Sequence, residues 1–183
     1  MLYLIAILIG LAIGFLRGGR LSHLTQLRLR WLWLVLVALV IQLLIFPLFS
    51  ESPLLPYATA PLHLLSYAVL IVWLSMNLRV LAMIALLLGA TSNLVAIAAN
   101  GGHIPASITA LRQAGFENTV DRLLQGDAVA NVIRMSSLTR LNALGDWLYL
   151  PGWIPFATAF SIGDVLIMVG LVWLIARGMV TND

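Results

Sequence analysis

The chain has 183 residues, of which 62% are apolar and 9% charged, and its formal net charge is +3. A soluble domain has roughly 45–50% apolar and about 25% charged residues, so the composition excludes a soluble protein and indicates one membrane domain. All ten basic residues are arginine and cysteine is absent, which excludes disulfides, thiolate nucleophiles and lysine chemistry. The arginines are expected at membrane edges, which leaves no basic surface for nucleic acid.

Five apolar runs predict an all-α membrane bundle of about five transmembrane helices, because each span needs on the order of 20 residues. The runs cover residues 2–16, 31–49, 60–76, 80–99 and 162–176. The first and last give roughly 22 Å of helix against a hydrocarbon core of about 30 Å, so they need snorkelling arginines or protein neighbours. The first run is predicted to be a retained helix, because its arginines follow the apolar residues instead of preceding them as in a signal peptide.

The arginines predict the orientation of the bundle. Six of them fall at one end of the predicted helices: Arg17, Arg20, Arg28, Arg30, Arg79 and Arg177. Cytoplasmic loops are enriched in arginine, so this end is predicted to be cytoplasmic, with the N-terminus outside and the C-terminus inside. Residues 21–30 place leucines at helical spacing after Ser22 as N-cap, which predicts a short helix in the interface. The first four arginines, which share this short loop, are expected to contact lipid headgroups.

Residues 100–160 are predicted to fold as an extracytoplasmic cap, since a structureless loop of roughly 60 residues is uncommon. Two short helices are expected within it, at residues 107–114 and 118–125, because each run ends at a glycine. The cap therefore covers the outer end of the bundle.

Two local patterns mark helix ends beside the cap. Residues 100–102, Asn-Gly-Gly, come before Pro105 and predict a tight turn that ends the fourth apolar helix. Ser161 and Asp164 fit a capping box at the start of the last helix. An alternative frame begins that helix at Pro155 and places Asp164 deep within it, as a proton or ion site. The capped frame is favoured.

Small residues recur every four positions in the first helix, at Ala6, Gly10, Gly14 and Gly18. Such a ridge lets a neighbouring backbone approach closely where the hydrophobic effect does not drive helices together. It serves either packing inside the bundle, which is favoured, or a dimer or partner interface.

Polar side chains collect near the outer end of the helices and in the cap. The set comprises Gln42, His63, Ser66, Asn93, Asn100, His103, Asp146 and Asp164. Polar groups at membrane depth are costly unless paired, so the set predicts either an outward-facing pocket or hydrogen bonds between helices. A neutral His63 can bind a metal or pigment, but no second histidine stands at ligand spacing. We therefore predict no metal and no cofactor, with a quinone or pigment as the alternative.

Four segments together resemble a family of small bacterial integral membrane proteins classed as a domain of unknown function. They are residues 16–20, 100–105, 144–146 and 160–166, which read LRGGR, NGGHIP, LGD and FSIGDVL. The resemblance covers nearly the whole chain and implies a helix bundle of the bacterial inner membrane. It brings no catalytic residues and no cofactor.

Three functions are consistent with these patterns. The leading hypothesis is a non-catalytic accessory or scaffold subunit of a larger energy-converting or envelope complex, bound to partner subunits or to itself through the glycine ridge and the cap. The alternative is a module that binds a lipid, quinone or pigment in the outer pocket, or a small transporter. The third is a membrane hydrolase using His103, Asp146 and Asp164, which lacks an accompanying nucleophile or metal spacing.

Overall fold

The computed structural model describes residues 2–45 and 58–180, and this part of the chain is mostly helical. Its α-helices are α1 (Leu2–Leu16), α2 (Leu21–Leu24), α3 (Trp33–Ile45), α4 (Thr59–Met76), α5 (Ala82–Ala99), α6 (Ile108–Gln113), α7 (Glu117–Leu124) and α8 (Ile162–Gly178). Its strands are β1 (Ile104–Ala106), β2 (Val132–Arg134), β3 (Leu148–Leu150) and β4 (Thr158–Phe160). A short 3-10 helix covers Asn142–Leu144.

The five long helices, α1, α3, α4, α5 and α8, occupy the five predicted apolar runs. Their described ends agree with the prediction to within two residues, and positions 46–49 of the second run lie outside the described residues. Helices α4 and α5 are long and apolar enough to cross a membrane, while α1 and α3 are shorter apolar helices. The helical content of the prediction is therefore confirmed.

The long helices pack in the order α3, α4, α5, α8 and α1. The centre of this row is an apolar core on α4 and α5 that includes Trp73, Leu74 and Met83, against which α8 also packs. Helices α5 and α8 approach most closely where Gly89 faces Gly163 and where Leu86 lies over Gly170. The absence of a side chain at these glycines is what allows the two backbones to come together.

The small-residue ridge of α1 packs inside the chain. Ala6, Gly10 and Gly14 are buried, with Gly10 against Ile175 and Gly14 against Met179 of α8. Gly18 is different, because it has a positive φ of 75° in the turn after the helix and no atom near its missing side chain. At Gly10 and Gly14 the ridge is thus covered by α8, which is the favoured arrangement of packing inside the bundle.

The segment between α5 and α8 contains four short strands as well as helices, and these strands were not predicted from the sequence. Strand β1 pairs in parallel with β2, and β3 pairs antiparallel with β4. Each strand has only three residues, too few for alternation of apolar and polar side chains to be visible. Helices α6 and α7 lie where the two short helices were predicted, and Ser107 caps α6 by accepting from the backbone N–H of Ala110 at 3.4 Å.

Of two predictions about helix starts, the helix over residues 21–30 needs correction, and the favoured capped frame of the last helix is confirmed. Residues 21–30 do not form one helix, because only α2 is helical, and Ser22 lies inside it while Arg20 occupies the N-cap position. The chain after α2 is not helical, and Arg30 within it bonds through its backbone to Asn77 at the end of α4. The frame starting at Pro155 is also wrong, since α8 begins at Ile162 after the capping residue Ser161.

Replacement of Gly163 by alanine is expected to destabilise the fold. The added methyl group would meet the side chain of Asn93 and the backbone of Gly89. Overpacking costs about 1–3 kcal/mol, which exceeds the gain of up to about 1 kcal/mol from replacing a helical glycine. Thermal unfolding of the purified protein in detergent should therefore show a lower Tm. Gly152→Ala is the control, because its methyl group would meet only ordinary contacts at 3.4 Å, and equal Tm losses in both variants would contradict the close approach of α5 and α8.

Candidate functional site

The carboxylate of Asp164 joins three helices at the capped end of the bundle. Its Oδ1 accepts from the hydroxyl of Tyr3 on α1 at 2.5 Å and from the side-chain amide of Asn93 on α5 at 2.8 Å. Its Oδ2 accepts from the backbone N–H of Ser161 at 2.9 Å. We call Tyr3, Asn93, Ser161 and Asp164 the carboxylate cluster.

Local sequence explains how the carboxylate cluster forms. Ser161 and Asp164 form a capping box, in which the Ser161 hydroxyl accepts from the N–H of Asp164 at 3.0 Å. A carboxylate is also favoured at the positive end of a helix. The hydroxyl of Ser161 lies 2.9 Å from both Asn93 Oδ1 and Asp164 Oδ2, and it donates its single proton to one of them at a time. Asn93 is 1% exposed and Ser161 is fully buried, so these bonds are shielded from solvent.

A second group of polar residues joins α3 to α4 and to the turn after α5. We call Gln42, His63 and Ser66 the histidine cluster. The amide of Gln42 donates to the hydroxyl of Ser66 at 2.6 Å, and that hydroxyl donates to the carbonyl of His63 at 2.7 Å. His63 Nδ1 lies 3.1 Å from the carbonyl of Gly102. A carbonyl can only accept, so Nδ1 carries the proton. Gly102 has a φ of 97° and sits against Ala60, which confirms the predicted tight turn.

Tyr67 connects the two clusters. Its ring lies edge-on to the ring of His63, with centroids 5.4 Å apart, and its side chain interacts with that of Asn93. A series of contacts therefore runs across all five long helices, from Gln42 on α3 to Tyr3 on α1, and it is polar except where the rings of His63 and Tyr67 meet. The positions of the polar residues allowed either a pocket or hydrogen bonds between helices. In the structure, Gln42 bonds to Ser66 and Asn93 bonds to Asp164, so these residues form hydrogen bonds between helices.

One further predicted residue, Asn100, holds the segment that follows α5. The amide of Asn100 donates to the carbonyls of Ala96 and Arg140, each at 2.8 Å, and its oxygen accepts from the Arg140 N–H at 2.9 Å. Asn100 thus ties the end of α5 to the chain that precedes the 3-10 helix. His103 is half-buried, next in the turn after Gly102.

Asp146 is the predicted site residue whose carboxyl group stands apart from these networks. Its backbone lies beside β1, where its N–H donates to Pro105 at 2.8 Å and its carbonyl accepts from Ser107 at 2.9 Å. Its Oδ1 is buried and has no hydrogen-bond partner in the described part of the chain. Burial, and next the negative charge of Asp164, raise the pKa of Asp146 to about 8. This carboxyl group can hold or release a proton near neutral pH.

Sequence reasoning missed two members of this arrangement. Tyr3 was not singled out, although a tyrosine at the end of an apolar helix combines a ring with a polar tip that needs a partner. Tyr67 shares a helix face with His63 and Ser66, and this spacing is the signal that could have identified it. Within residues 2–45 and 58–180, no group of three or more histidine and acidic side chains is placed to hold a metal ion.

The four arginines predicted to contact headgroups lie at the opposite end of the long helices. Arg17 and Arg20 are exposed in the turn between α1 and α2. Arg28 and Arg30 are also exposed and line a cavity of about 910 Å³ together with Arg79. Arg17 and Arg20 therefore have different surroundings from Arg28 and Arg30, a difference that the sequence did not indicate.

The fold defines a mostly helical protein, and in the part of the chain that the structure describes two helices are long and apolar enough to cross a membrane. The family of unknown function DUF5317 matches residues 26–176, and the chain belongs to this family. The domain-of-unknown-function resemblance is thereby confirmed. No curated protein and no solved structure matches the chain.

Replacement of Asp164 by asparagine is expected to lower stability by about 2 kcal/mol, in the range for hydrogen bonds to charged groups. An asparagine would offer one oxygen and one NH₂ group where the native carboxylate accepts from Tyr3, Asn93 and Ser161. Thermal unfolding in detergent should show this loss as a lower Tm. Asp127→Asn, at an exposed position above the bundle, should leave Tm unchanged, and equal stability of both variants would contradict the bridging role.

Stability is expected to fall as pH rises through the titration of Asp146. The carboxyl group titrates near 3.8 when unfolded and near 8 when folded, so between these values the folded state holds a proton that the unfolded state has lost. Asp146→Asn removes this ionisation and should flatten the dependence of Tm on pH between about pH 4 and about pH 8. Above pH 8 its Tm should exceed that of the native protein. The control is Asp127→Asn. If Tm depends on pH as steeply in the Asp146→Asn variant as in the Asp127→Asn variant, the assignment is contradicted.

Proposed function

We propose that this chain is a five-span protein of the bacterial inner membrane, with α1, α3, α4, α5 and α8 as the spans. Residues 100–160 then form an extracytoplasmic cap. The contact of Tyr3 with Asp164 supports this orientation, because it puts the start of α1 at the capped end and the arginine-rich turn at the other. Arginine-rich short loops are typical of the cytoplasmic side, which places the N-terminus outside and the C-terminus inside.

The function that we propose is that of a non-catalytic accessory or scaffold subunit in a larger membrane complex. The observation that carries the proposal is the series of contacts from Gln42 to Tyr3, which is polar except where the rings of His63 and Tyr67 meet. Donors and acceptors of this kind fix helices relative to one another, and the oxygens of Asp164 are occupied by Tyr3, Asn93 and Ser161. This favours a rigid framework over a hydrolase built on Asp164, Asp146 and His103.

The cap offers a surface for a partner subunit. Leu138 is 92% exposed at the tip of a turn whose form is fixed by side-chain hydrogen bonds. Thr139 Oγ1 accepts from the Ser136 N–H at 2.8 Å, and Asn142 Nδ2 donates to the Ser136 carbonyl at 2.8 Å. An apolar side chain held by a preorganised turn loses little entropy on binding. We assign this turn to the contact with another membrane subunit, in place of the glycine ridge that α8 covers.

A groove between α1 and α8 favours a second candidate function, the binding of a lipid, quinone or pigment. It has a volume of about 700 Å³ and is lined almost entirely by apolar side chains. Ile5 and Ile13 line it from α1, and Val169 lines it from α8. Such a groove suits a hydrocarbon chain, since ligand sites are mostly apolar with few polar groups.

The native mass of the protein, extracted in mild detergent from its own host membrane, tests both candidates. We expect a stoichiometric assembly well above the 20.0 kDa of the single chain. Leu138→Asp should release the partner, because it places a charge in the contact, while Leu124→Asp at another exposed leucine of the cap should not. A lone chain would contradict the scaffold function. If that lone chain carries a lipid, quinone or pigment enriched over the bulk membrane, the second candidate is supported.

A further inference from the structure

A basic cavity of about 910 Å³ lies at the end of the molecule opposite the cap. It is bounded by the chain that follows α2, by the turn between α4 and α5, and by the C-terminal end of α8. Four arginines line it: Arg28, Arg30, Arg79 and Arg177. No aspartate or glutamate is among the described residues around it. The space therefore brings several positive charges together without an acidic neighbour in its wall.

One wall of the basic cavity is held by Asn77, which is buried at 4% exposure at the end of α4. Its Oδ1 accepts from the Arg30 N–H at 2.7 Å, and its Nδ2 donates to the Arg30 carbonyl at 3.1 Å. The indole of Trp73 donates to the same carbonyl at 3.0 Å. The backbone of Arg30 is thus fixed by three side-chain hydrogen bonds, and its position at the cavity is part of the fold.

The opposite wall is held by the end of α8. The carbonyl of Met179 accepts from His23 Nδ1 at 2.8 Å and from the Arg20 N–H at 2.9 Å. Leu24 and Leu27 pack against Gly178, whose missing side chain leaves room for them. Both sides of the basic cavity are therefore built by specific contacts between segments that are distant in sequence.

The chemistry of the lining identifies the class of ligand. Guanidinium groups bind phosphate oxygens through pairs of hydrogen bonds, and an anion bound among several arginines offsets their mutual repulsion. Leu81, Trp173 and Leu174 add an apolar side to the cavity. Tryptophan is typical of the headgroup level of a membrane, and anionic lipids are concentrated on the cytoplasmic leaflet.

We propose that the basic cavity is a binding site for a phosphate-bearing anion. The phosphate belongs either to the headgroup of an anionic phospholipid of the cytoplasmic leaflet or to a soluble phosphorylated molecule. Arg28, Arg30 and Arg79 bind its oxygens, and the apolar side accommodates the rest of the ligand. This site is separate from the polar contacts under the cap and does not depend on the scaffold function.

The test uses the full-length protein in detergent, titrated separately with dioleoyl phosphatidylglycerol, dioleoyl phosphatidylcholine and inorganic pyrophosphate. Thermal unfolding reports the stabilisation, and native mass spectrometry reports the number of lipids bound. The double variant Arg28→Gln with Arg79→Gln removes two exposed guanidinium groups of the cavity. The matched control, Arg17→Gln with Arg20→Gln, removes the same charge from the same end of the molecule outside the cavity.

We expect saturable stabilisation by phosphatidylglycerol and little by phosphatidylcholine, with an apparent Kd roughly tenfold or more higher in the cavity variant than in the control. Stabilisation by phosphatidylglycerol alone assigns the phosphate to a lipid. Stabilisation by pyrophosphate that the cavity variant loses assigns it to a soluble molecule. Equal weakening in the two double variants would overturn the proposal, because it indicates a diffuse charge effect. Equal stabilisation by the two lipids with none by pyrophosphate would also overturn it.

Discussion

The arrangement of the capped end depends on how the Asp164 carboxylate is satisfied among apolar helices. A charge in such surroundings is stable only when its lone pairs meet donors, and here the donors come from the helix start itself and from two other helices. The requirement sets where α8 begins, how closely α5 approaches at Gly163, and which turn of α1 lies beside them. One local capping box thereby becomes the point where three helices are positioned relative to one another.

The helices of this protein follow from the composition of short segments, which is why the sequence predicts them well. An uninterrupted apolar run has few alternatives to helix, and the ends of α1, α4, α5 and α8 fall close to the ends of the runs. The strands are different, because β1 and β2 are three residues each and are defined by pairing across about two dozen residues of chain. Nothing within either segment distinguishes it from a loop.

The same contrast between local and distant information explains the outcome at the candidate site. The Ser161–Asp164 capping box is a pattern of adjacent residues and could be predicted, as could the depth of Gln42, His63 and Asn93 in their helices. Their partners depend on the packing order of the helices, which the sequence does not state. The contact between Tyr3 and Asp164 joins positions 161 residues apart. At the arginine end, which arginines share a cavity depends in the same way on how distant segments pack, as in the contact of Asn77 with Arg30.

The pairing of α1 with α8 also determines the order in which the molecule can be assembled. The glycine face of α1 is made early by the ribosome, while the helix that covers it is made after all the other long helices. The chain between α1 and α8 forms a long loop, and closing it is entropically costly before the contacts form. The small residues of α1 therefore stay uncovered until α8 has been made. The other long helices can begin to pack while synthesis continues. Docking of α1 is consequently a late step, and a ribosome that stalls before α8 leaves a chain whose first helix has no place in the bundle.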